Sequence, residues 1–181
     1  MKKWTIFLLI IFISTLIVAG YKTFLSLSHP VRFKNDIIYF AEKNMLSPTV
    51  VASVINVESS YKKNAMSNKK AIGLMQIKLD TANYLNDINN TEHISETQLF
   101  DAKTNIEYGC MYLSYLVEKF EDIYTSLAAY NAGETRVRSW LKSEEFSADG
   151  KTLIYIPYKE TANYIEKIKK NIKFYQKIYK Y

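Results

Sequence analysis

The residue of this sequence best placed to do chemistry is Glu58, a carboxyl near the end of an apolar stretch. Ser47-Pro48 predicts that a helix starts just before this stretch, because serine caps helix N-termini and proline fits the first helical position. The residues that would share one face of this helix with the acid are Val51, Val54 and Ile55. A carboxyl on a core-facing stripe must be paired, neutralised or used, because burying an unpaired carboxylate costs several kcal/mol or raises its pKa. Taken alone, however, a glutamate at a helix end more often turns to solvent.

Glu58 opens the first of four short motifs that follow one another along the chain. The four are Glu58-Ser59-x-Tyr61 with Ala65-x-Ser67 behind it, Gly73-Leu74-Met75-Gln76, Ala129-Tyr130-Asn131-Ala132-Gly133, and Pro157-x-x-Glu160-Thr161-x-x-Tyr164. A further segment between the second and third reads Asn105-Ile106-x-x-Gly109-x-x-Tyr112-Leu113. Each motif is weak alone. In this order, over roughly Ile37 to Ile178, they make the sequence resemble the lytic transglycosylases of the soluble, lysozyme-like type, whose catalytic domain resembles goose-type lysozyme.

This resemblance implies a mainly α, lysozyme-like helical domain with a substrate cleft that binds glycan strands of peptidoglycan. It implies that Glu58 is the catalytic acid. The reaction of the family is cleavage of the β-1,4 bond between N-acetylmuramic acid and N-acetylglucosamine. That reaction leaves a 1,6-anhydromuramoyl end and uses no metal and no cofactor.

The carboxyl groups of the sequence favour a mechanism with one acid. Ordinary glycoside hydrolysis uses two, one to protonate the leaving oxygen and one as nucleophile or base. Only Glu58 lies in a strong motif. The other acids lie in polar segments or on helix faces opposite the apolar stripe, among them Asp87, Glu92, Glu96, Asp101, Glu118, Glu121 and Asp122. Glu58, kept protonated by an apolar site, would donate its proton to the glycosidic oxygen and then accept the proton of the sugar's own 6-hydroxyl.

Polar and aromatic residues of the motifs are the candidates for binding substrate. Groups that suit the N-acetyl and hydroxyl groups of sugars are carried by Ser59, Gln76, Tyr130 and Asn131. The resemblance implies that Gln76 and Asn131 line the cleft near the acid and that Met75 and Tyr130 form its wall. Simple core packing explains Met75 equally well.

The last motif supplies two further candidates. The resemblance implies that Tyr164 lies near the active site. For Glu160, a helix start or a structural hydrogen bond explains the residue as well as a role at the site does.

Two alternative functions stay open. A lysozyme-like peptidoglycan hydrolase would need a second acid to orient water. A non-catalytic glycan-binding module would keep the cleft without turnover.

The elements that would position these residues are helices. With 48% hydrophobic residues, 15 Tyr, 5 Gly and 3 Pro, the 181-residue sequence favours one helical domain with an appendage over a turn-rich β fold. The predicted helices are Asp36–Lys43, Pro48–Ser60, Asp101–Phe120, Tyr124–Tyr130, Glu134–Leu141 and Glu160 to the C-terminus. The segment from Thr81 to Asp101, rich in Asn and Asp, is predicted to be polar and irregular.

Four single residues carry predictions of their own. Gly109, inside an apolar stripe, predicts close contact between helices, and Gly133 predicts a left-handed cap at the end of its helix. Cys110, the only cysteine, forms no internal disulfide and is predicted to be a small core residue. His93 is predicted to lie in a surface loop.

The uncharged run from Trp4 to Gly20 predicts a membrane anchor or a signal segment. As a helix it would be roughly 25 Å long, slightly short of a hydrocarbon core of about 30 Å. We therefore divide the chain into residues 1–27 as anchor or signal segment, 28–35 as a linker that includes His29, and 36–181 as the catalytic domain. Val18-Ala19-Gly20 is a weak cleavage site, which favours a single-pass protein of the cell membrane with its domain on the extracytoplasmic side. If the segment were cleaved, the protein would be secreted.

The net charge of +6 is concentrated at the C-terminal end, where the last 23 residues hold seven Lys and two Glu, a balance of +5. We interpret these lysines as the solvated face of the final helix. Contact with anionic wall polymers or the membrane surface is the alternative. The export signal argues against nucleic acid as a partner, and the sequence leaves protein partners open.

Overall fold

The computed structural model describes residues 2–28 and 32–178. Within these residues the chain forms nine α-helices and no β-strand, so the prediction of a mainly helical chain is confirmed. The helices are α1 (Lys2–Ser28), α2 (Lys34–Lys43), α3 (Pro48–Ser59), α4 (Leu79–Asn89), α5 (Glu96–Leu99), α6 (Ala102–Phe120), α7 (Ile123–Ala132), α8 (Glu134–Trp140) and α9 (Lys159–Ile178). The chain divides into two units, one that ends at Arg32 and one that begins at Phe33.

The first unit consists of α1, a single helix of 27 residues. Its segment Lys3–Tyr21 has a mean hydropathy of 2.3, is 0% buried and is long and apolar enough to cross a membrane. The helix ends one residue beyond the predicted boundary at residue 27. The predicted linker histidine, His29, lies outside the described residues.

The second unit is built around α3, whose residues Pro48 to Ile55 are all buried. This helix packs against α2 and α9, while α6 packs against α2, α4, α5 and α7. The predicted start of α3 is confirmed, with Ser47 at the N-cap and Pro48 in the first turn. The hydroxyl of Ser47 bonds the Thr49 hydroxyl at 2.8 Å instead of a free backbone N–H.

The prediction of irregular structure between residues 81 and 101 is wrong, because the chain forms α4 and α5 there. Helix α4 has few apolar residues, but it buries Ala82 and Leu85 as it packs on α6. The buried amide of Asn86 also accepts a hydrogen bond from the Tyr108 hydroxyl at 2.8 Å. Contact with the rest of the fold thus overrides a weak local propensity. The start of α5 carries a sequence signal, the capping box of Ser95 and Gln98.

Two of the single-residue predictions are confirmed. Cys110 is fully buried in the core. His93 is exposed in the connection between α4 and α5, where its Nε2 lies 2.6 Å from Asp87 Oδ1.

Gly133 is not in the predicted left-handed helical conformation, since its φ is 94° and its ψ is 141°. It ends α7 and begins α8 at the same time. The chain must turn sharply at one residue between two helices, which needs a positive φ with extended ψ, a region open mainly to glycine.

The segment of residues 60–78, which we call the active-site loop, joins α3 to α4 and folds back on itself. Backbone hydrogen bonds of 3.0 Å link Ile72 and Ile77 in both directions, and Gly73 N donates to Ala65 O at 2.8 Å. Gly73 has a φ of 77°, and a Cβ there would collide with the Asn105 amide. Glycine is therefore required for the loop to approach α6.

The buried side chain of Asn105 on α6 holds this loop in place. Its Oδ1 accepts from Met75 N at 2.8 Å, and its Nδ2 donates to Ile72 O and Leu99 O at 2.9 Å each. One turn further along α6, Gly109 leaves room for the Met75 side chain. The close contact predicted at Gly109 exists, but its partner is the loop and not another helix.

Replacing Asn105 with alanine is expected to lower the free energy of unfolding by about 2–4 kcal/mol. The change leaves the Met75 N–H and the Leu99 carbonyl buried without partners and removes one of the two hydrogen bonds to the Ile72 carbonyl. Each unsatisfied group costs about 1–3 kcal/mol before relaxation. Urea unfolding of the full chain in detergent micelles measures the effect.

Asn163→Ala is the matched control, because Asn163 is exposed on α9. We expect it to stay within about 0.5 kcal/mol of the wild type. Equal destabilisation by the two substitutions would contradict the role given to the Asn105 amide.

Candidate active site

A cavity of about 480 Å³ opens beside the C-terminal end of α3. Its walls come from that helix end, the active-site loop, the first turn of α4, α6, the junction of α7 with α8 and the start of α9. The residues that line it are Glu58, Ser67, Lys69, Ala71, Gln76, Ile77, Lys78, Thr81, Tyr112, Tyr130, Asn131, Ala132, Gly133, Arg136 and Glu160. Five of the eight residues predicted for the site from sequence, Glu58 among them, therefore lie on one cavity.

Glu58 lies in the last turn of α3, half-buried, with its carboxyl on the cavity. Burial raises its pKa from 4.5 to about 7, because a carboxylate loses hydration there. The Tyr164 hydroxyl opposes part of this shift by favouring the ionised form. A carboxyl with a pKa near 7 can both give and accept a proton at neutral pH, which is the property that general acid–base catalysis needs.

Two tyrosines flank this carboxyl. Burial, and then the nearby charge of Glu58, raises the pKa of both Tyr130 and Tyr164 well above the ordinary value, so both phenols stay protonated. The Tyr130 hydroxyl donates to Met75 O at 2.7 Å. The Tyr164 hydroxyl faces Glu58 but satisfies hydrogen-bond geometry with none of the described residues. One hydroxyl is thus committed to the loop, and the other faces the Glu58 carboxyl and favours its ionised form.

In each of the two predicted amides at the cavity, Gln76 and Asn131, one polar atom of the side chain is hydrogen-bonded within the fold. Gln76 has a φ of 51°, and its Nε2 donates to Gly73 O at 2.9 Å and to Ala65 O at 3.3 Å. Asn131 Oδ1 accepts from the Thr161 hydroxyl at 2.9 Å, which ties the end of α7 to the start of α9. The remaining Gln76 carbonyl and Asn131 amino group have no described partner and are available to a ligand.

Ser59, Met75 and Tyr164 lie behind the cavity and not on its lining. The Ser59 hydroxyl is buried and donates to Leu74 O at 2.8 Å and to Ile55 O at 3.1 Å. Met75 is 0% exposed and packs beneath the cavity floor. These side chains position the loop and the tyrosines, and the Met75 carbonyl holds Tyr130 in place.

Glu160 is a second carboxyl on the same cavity. It is exposed and lies in the first turn of α9. The sequence placed no second acid firmly at the site, so this position bears directly on the choice between one-acid and two-acid chemistry.

Sequence reasoning missed six polar and aromatic residues of the lining. They are Ser67, Lys69, Lys78, Thr81, Tyr112 and Arg136. Tyr112 had a signal, since it belongs to one of the ordered segments, and its ring lies 5.2 Å from that of Tyr130. Nothing in the sequence indicated that the lysines line the cavity, because they belong to a polar segment whose pattern is typical of a solvated loop.

The described residues contain no group of three or more His, Cys, Asp or Glu that could hold a metal ion. Beside the Glu58 carboxyl, the groups near the cavity include the protonated phenols of Tyr130 and Tyr164 and the amides of Gln76 and Asn131.

Comparison with known proteins gives consistent matches. The Transglycosylase SLT domain family matches residues 36–153, which leaves the segment with Glu160 and Tyr164 beyond the matched range. The soluble lytic murein transglycosylase of Escherichia coli strain K12 is 35% identical over 133 residues, covering 71% of this chain and 20% of that protein. The membrane-bound lytic murein transglycosylase E of Buchnera aphidicola is 32% identical over 171 residues, covering 79% of this chain and 76% of that protein.

A solved structure has the same fold. It is the lytic transglycosylase Slt of Pseudomonas aeruginosa, in an inactive mutant form with one glutamate changed to glutamine. The TM-score is 0.75 at 28% sequence identity, and the match covers 84% of this chain and 25% of that one. The chain thus spans about a quarter or less of the Escherichia coli and Pseudomonas aeruginosa relatives and about three quarters of the Buchnera aphidicola one.

Replacing Glu58 with glutamine is expected to stabilise the protein at high pH. Because the pKa of Glu58 is raised in the folded state, the folded protein binds more protons than the unfolded chain between about pH 4.5 and 7. The wild type therefore loses stability as the pH rises through this range, by about 3 kcal/mol, whereas the neutral glutamine does not. Urea unfolding of the two proteins from pH 4 to 8 measures the difference.

Glu145→Gln is the control, since Glu145 is exposed and is not among the residues that line the cavity. It should follow the pH dependence of the wild type. Parallel curves for Glu58→Gln and the wild type would contradict the burial of the Glu58 carboxylate.

Proposed function

The chain belongs to the Transglycosylase SLT domain family, as its motifs predicted, and from this premise we propose that it is a peptidoglycan lytic transglycosylase with one catalytic acid, Glu58. In this proposal it cleaves the β-1,4 bond between N-acetylmuramic acid and N-acetylglucosamine and leaves 1,6-anhydromuramoyl ends. The observation that carries the proposal is the Glu58 carboxyl, half-buried on the cavity with a pKa of about 7.

Cleavage begins with Glu58 as an acid. Its protonated carboxyl donates to the glycosidic oxygen, the bond from that oxygen to C1 breaks, and positive charge develops on the muramoyl ring. Burial favours this starting state, because the protonated carboxyl is the form that tolerates low hydration.

Glu58 then acts as a base. The new carboxylate accepts the proton of the muramoyl 6-hydroxyl as its oxygen bonds to C1, which closes the 1,6-anhydro ring and restores the protonated acid. The proton that Glu58 donates in the first step is replaced by the proton that it accepts in the second, so no water is consumed. The Tyr164 hydroxyl, which favours the ionised form of Glu58, supports the carboxylate between the two steps.

Substrate is held by groups that the fold leaves free. The Gln76 carbonyl suits an N-acetyl N–H or a sugar hydroxyl, and the Asn131 amino group suits an N-acetyl carbonyl. The Tyr112 and Tyr130 rings, tilted against each other at 5.2 Å, give the wall an apolar surface for a sugar face. Ser59 and Met75 contribute indirectly, through the position of the loop.

A lysozyme-like hydrolase is the second candidate, and the position of Glu160 on the same cavity is what favours it. As a base, Glu160 would activate a water molecule for attack on C1, and Glu58 would act only as the acid. The exposure of Glu160 weighs against this role, because a water molecule held for attack on C1 is best positioned in a site closed to bulk solvent. The inactive glutamate-to-glutamine form of the Pseudomonas relative supports an essential glutamate under either mechanism.

We also propose that α1 anchors the protein as a single membrane span, with the catalytic unit on the extracytoplasmic side. The proposal rests on the apolar segment Lys3–Tyr21 and on its basic N-terminal flank. The relative that this chain covers to 76% is described as membrane-bound, which supports the assignment.

Glu58→Gln is expected to lower the rate of product release from purified peptidoglycan by about 1,000-fold or more while the protein stays folded, because a glutamine cannot transfer a proton. Mass spectrometry identifies the products of the wild type. Anhydro ends are lighter by one water than hydrolysed ends, so the mass decides between the two mechanisms.

Glu160→Gln further distinguishes the transglycosylase mechanism from the hydrolase mechanism. Under the one-acid mechanism this variant changes the amount of product but not its anhydro character. Hydrated ends from the wild type, together with complete loss of activity in Glu160→Gln, would establish the hydrolase instead. Unchanged release by Glu58→Gln would contradict both candidates.

Deleting residues 2–28 is expected to move the protein from the membrane pellet to the soluble fraction, since the only candidate membrane span in the described residues is removed. Intact-mass measurement of the full chain recovered from membranes is the control, because it detects cleavage. A soluble full-length chain, or a mass that lacks the first residues, would contradict the anchor.

A further inference from the structure

A second groove adjoins the cavity with Glu58. This groove has a volume of about 470 Å³ and is lined by Ala132, Gly133, Glu134, Thr135, Arg136, Ser139, Trp140 and Tyr158. The two spaces share Ala132, Gly133 and Arg136. A Cβ at Gly133 would meet no atom within 4 Å beyond its chain neighbours, so the space beside this shared residue is open. A ligand branch that leaves the cavity at this junction must pass Arg136.

Arg136 is held in a fixed position at the junction. Its Nη1 donates to Ala132 O at 2.9 Å, and its guanidinium carbon lies 4.9 Å from the centre of the Tyr158 ring. That ring is itself supported by Trp140, at a distance of 5.2 Å between ring centres. A guanidinium ordered by a carbonyl and an aromatic face loses less entropy when it binds a ligand than a free side chain would.

The charge of Arg136 is not neutralised within the described residues. The ion pairs found there are Lys43–Glu107, His93–Asp87, Arg138–Glu134 and Lys169–Glu166. Two residues along α8, Arg138 lies 2.7 Å from Glu134, so the same helix carries one paired and one unpaired arginine.

The cavity as a whole has an excess of positive charge. Its lining holds three cationic side chains, Lys69, Lys78 and Arg136, against the two carboxyl groups of Glu58 and Glu160. When Glu58 is protonated for catalysis, only one anionic side chain remains. An ordered arginine with unused donors in such a field is suited to bind a carboxylate.

We propose that Arg136 binds a carboxylate of the peptide stem that branches from the muramoyl residue, and so makes the enzyme selective for strands that carry stems. The inference rests on the proposed function, since it names which form of that substrate is preferred. The sugar backbone of a stem-bearing strand is uncharged, because the muramoyl carboxyl is itself amide-linked to the stem. The free carboxylates of such a strand therefore lie on the stem.

The experiment compares cleavage of two substrates by the full chain in detergent micelles. One is peptidoglycan strands with intact stems that end in free carboxylates. The other is the same strands stripped of stems by an amidase, with the muramoyl carboxyl groups that this frees then converted to amides. The measured quantity is the ratio of kcat/KM for the first to kcat/KM for the second. We expect a ratio above one for the wild type and about a tenfold lower ratio for Arg136→Gln, as expected from loss of one charge-assisted contact.

Arg138→Gln is the matched control, because its arginine is paired with Glu134 on the same helix and does not line either space. It should keep the wild-type ratio. A third substrate, stem-bearing strands whose carboxylates have been converted to amides, should lower the wild-type ratio about as much as Arg136→Gln does and should not lower the ratio of that variant further.

The results separate two kinds of failure. Equal cleavage of the first two substrates by the wild type, or an unchanged ratio in Arg136→Gln, would overturn the stem contact while leaving the transglycosylase proposal intact. A wild type that cleaves neither substrate would contradict the proposed function itself.

Discussion

The structure of the catalytic unit depends on one buried amide. Asn105 bonds the backbone of the active-site loop at Ile72 and Met75 and the end of α5 at Leu99. Tyr130 then bonds the Met75 carbonyl, and Ser59 bonds the Leu74 carbonyl on the other side. Because each of these side chains takes a different backbone group of a short loop, the position of the loop relative to Glu58 is fixed from several directions. Polar contacts buried in this way cost much when broken, so they define one loop conformation.

The Glu58 carboxyl illustrates how position sets chemistry. It ends a helix that is buried over most of its length, so the protein cannot hydrate it fully, and its pKa rises to about 7. The neighbouring groups are phenols that stay protonated and can only stabilise the carboxylate, not compete for its proton. In the proposed mechanism the carboxyl can therefore give and accept a proton without losing it to either phenol.

The sequence predicted most of the helices and the position of the acid, because both follow from local patterns. Apolar spacing placed α3 and α6, and Ser47-Pro48 marked a helix start. It missed α4, whose Asn-rich sequence becomes helical through contacts with α6 that no local pattern contains. It also missed Arg136 and the lysines of the lining, since a charge on a polar segment looks the same whether it faces solvent or a cavity. The spacing of residues in the sequence also could not predict that Ser59 and Met75 lie behind the cavity lining, because their position depends on how the active-site loop folds back.

The buried Tyr164 hydroxyl, which faces Glu58 without ideal hydrogen-bond geometry, limits how such a chain can change. A buried hydroxyl without a hydrogen bond costs about 1–3 kcal/mol relative to a satisfied one, so a phenylalanine at this position would be preferred if stability alone were selected. In the proposed mechanism the tyrosine contributes when Glu58 is ionised, because its hydroxyl then stabilises the carboxylate. Stability and turnover therefore favour different residues at the same position, and directed evolution for heat tolerance alone would be expected to remove this hydroxyl and slow the enzyme.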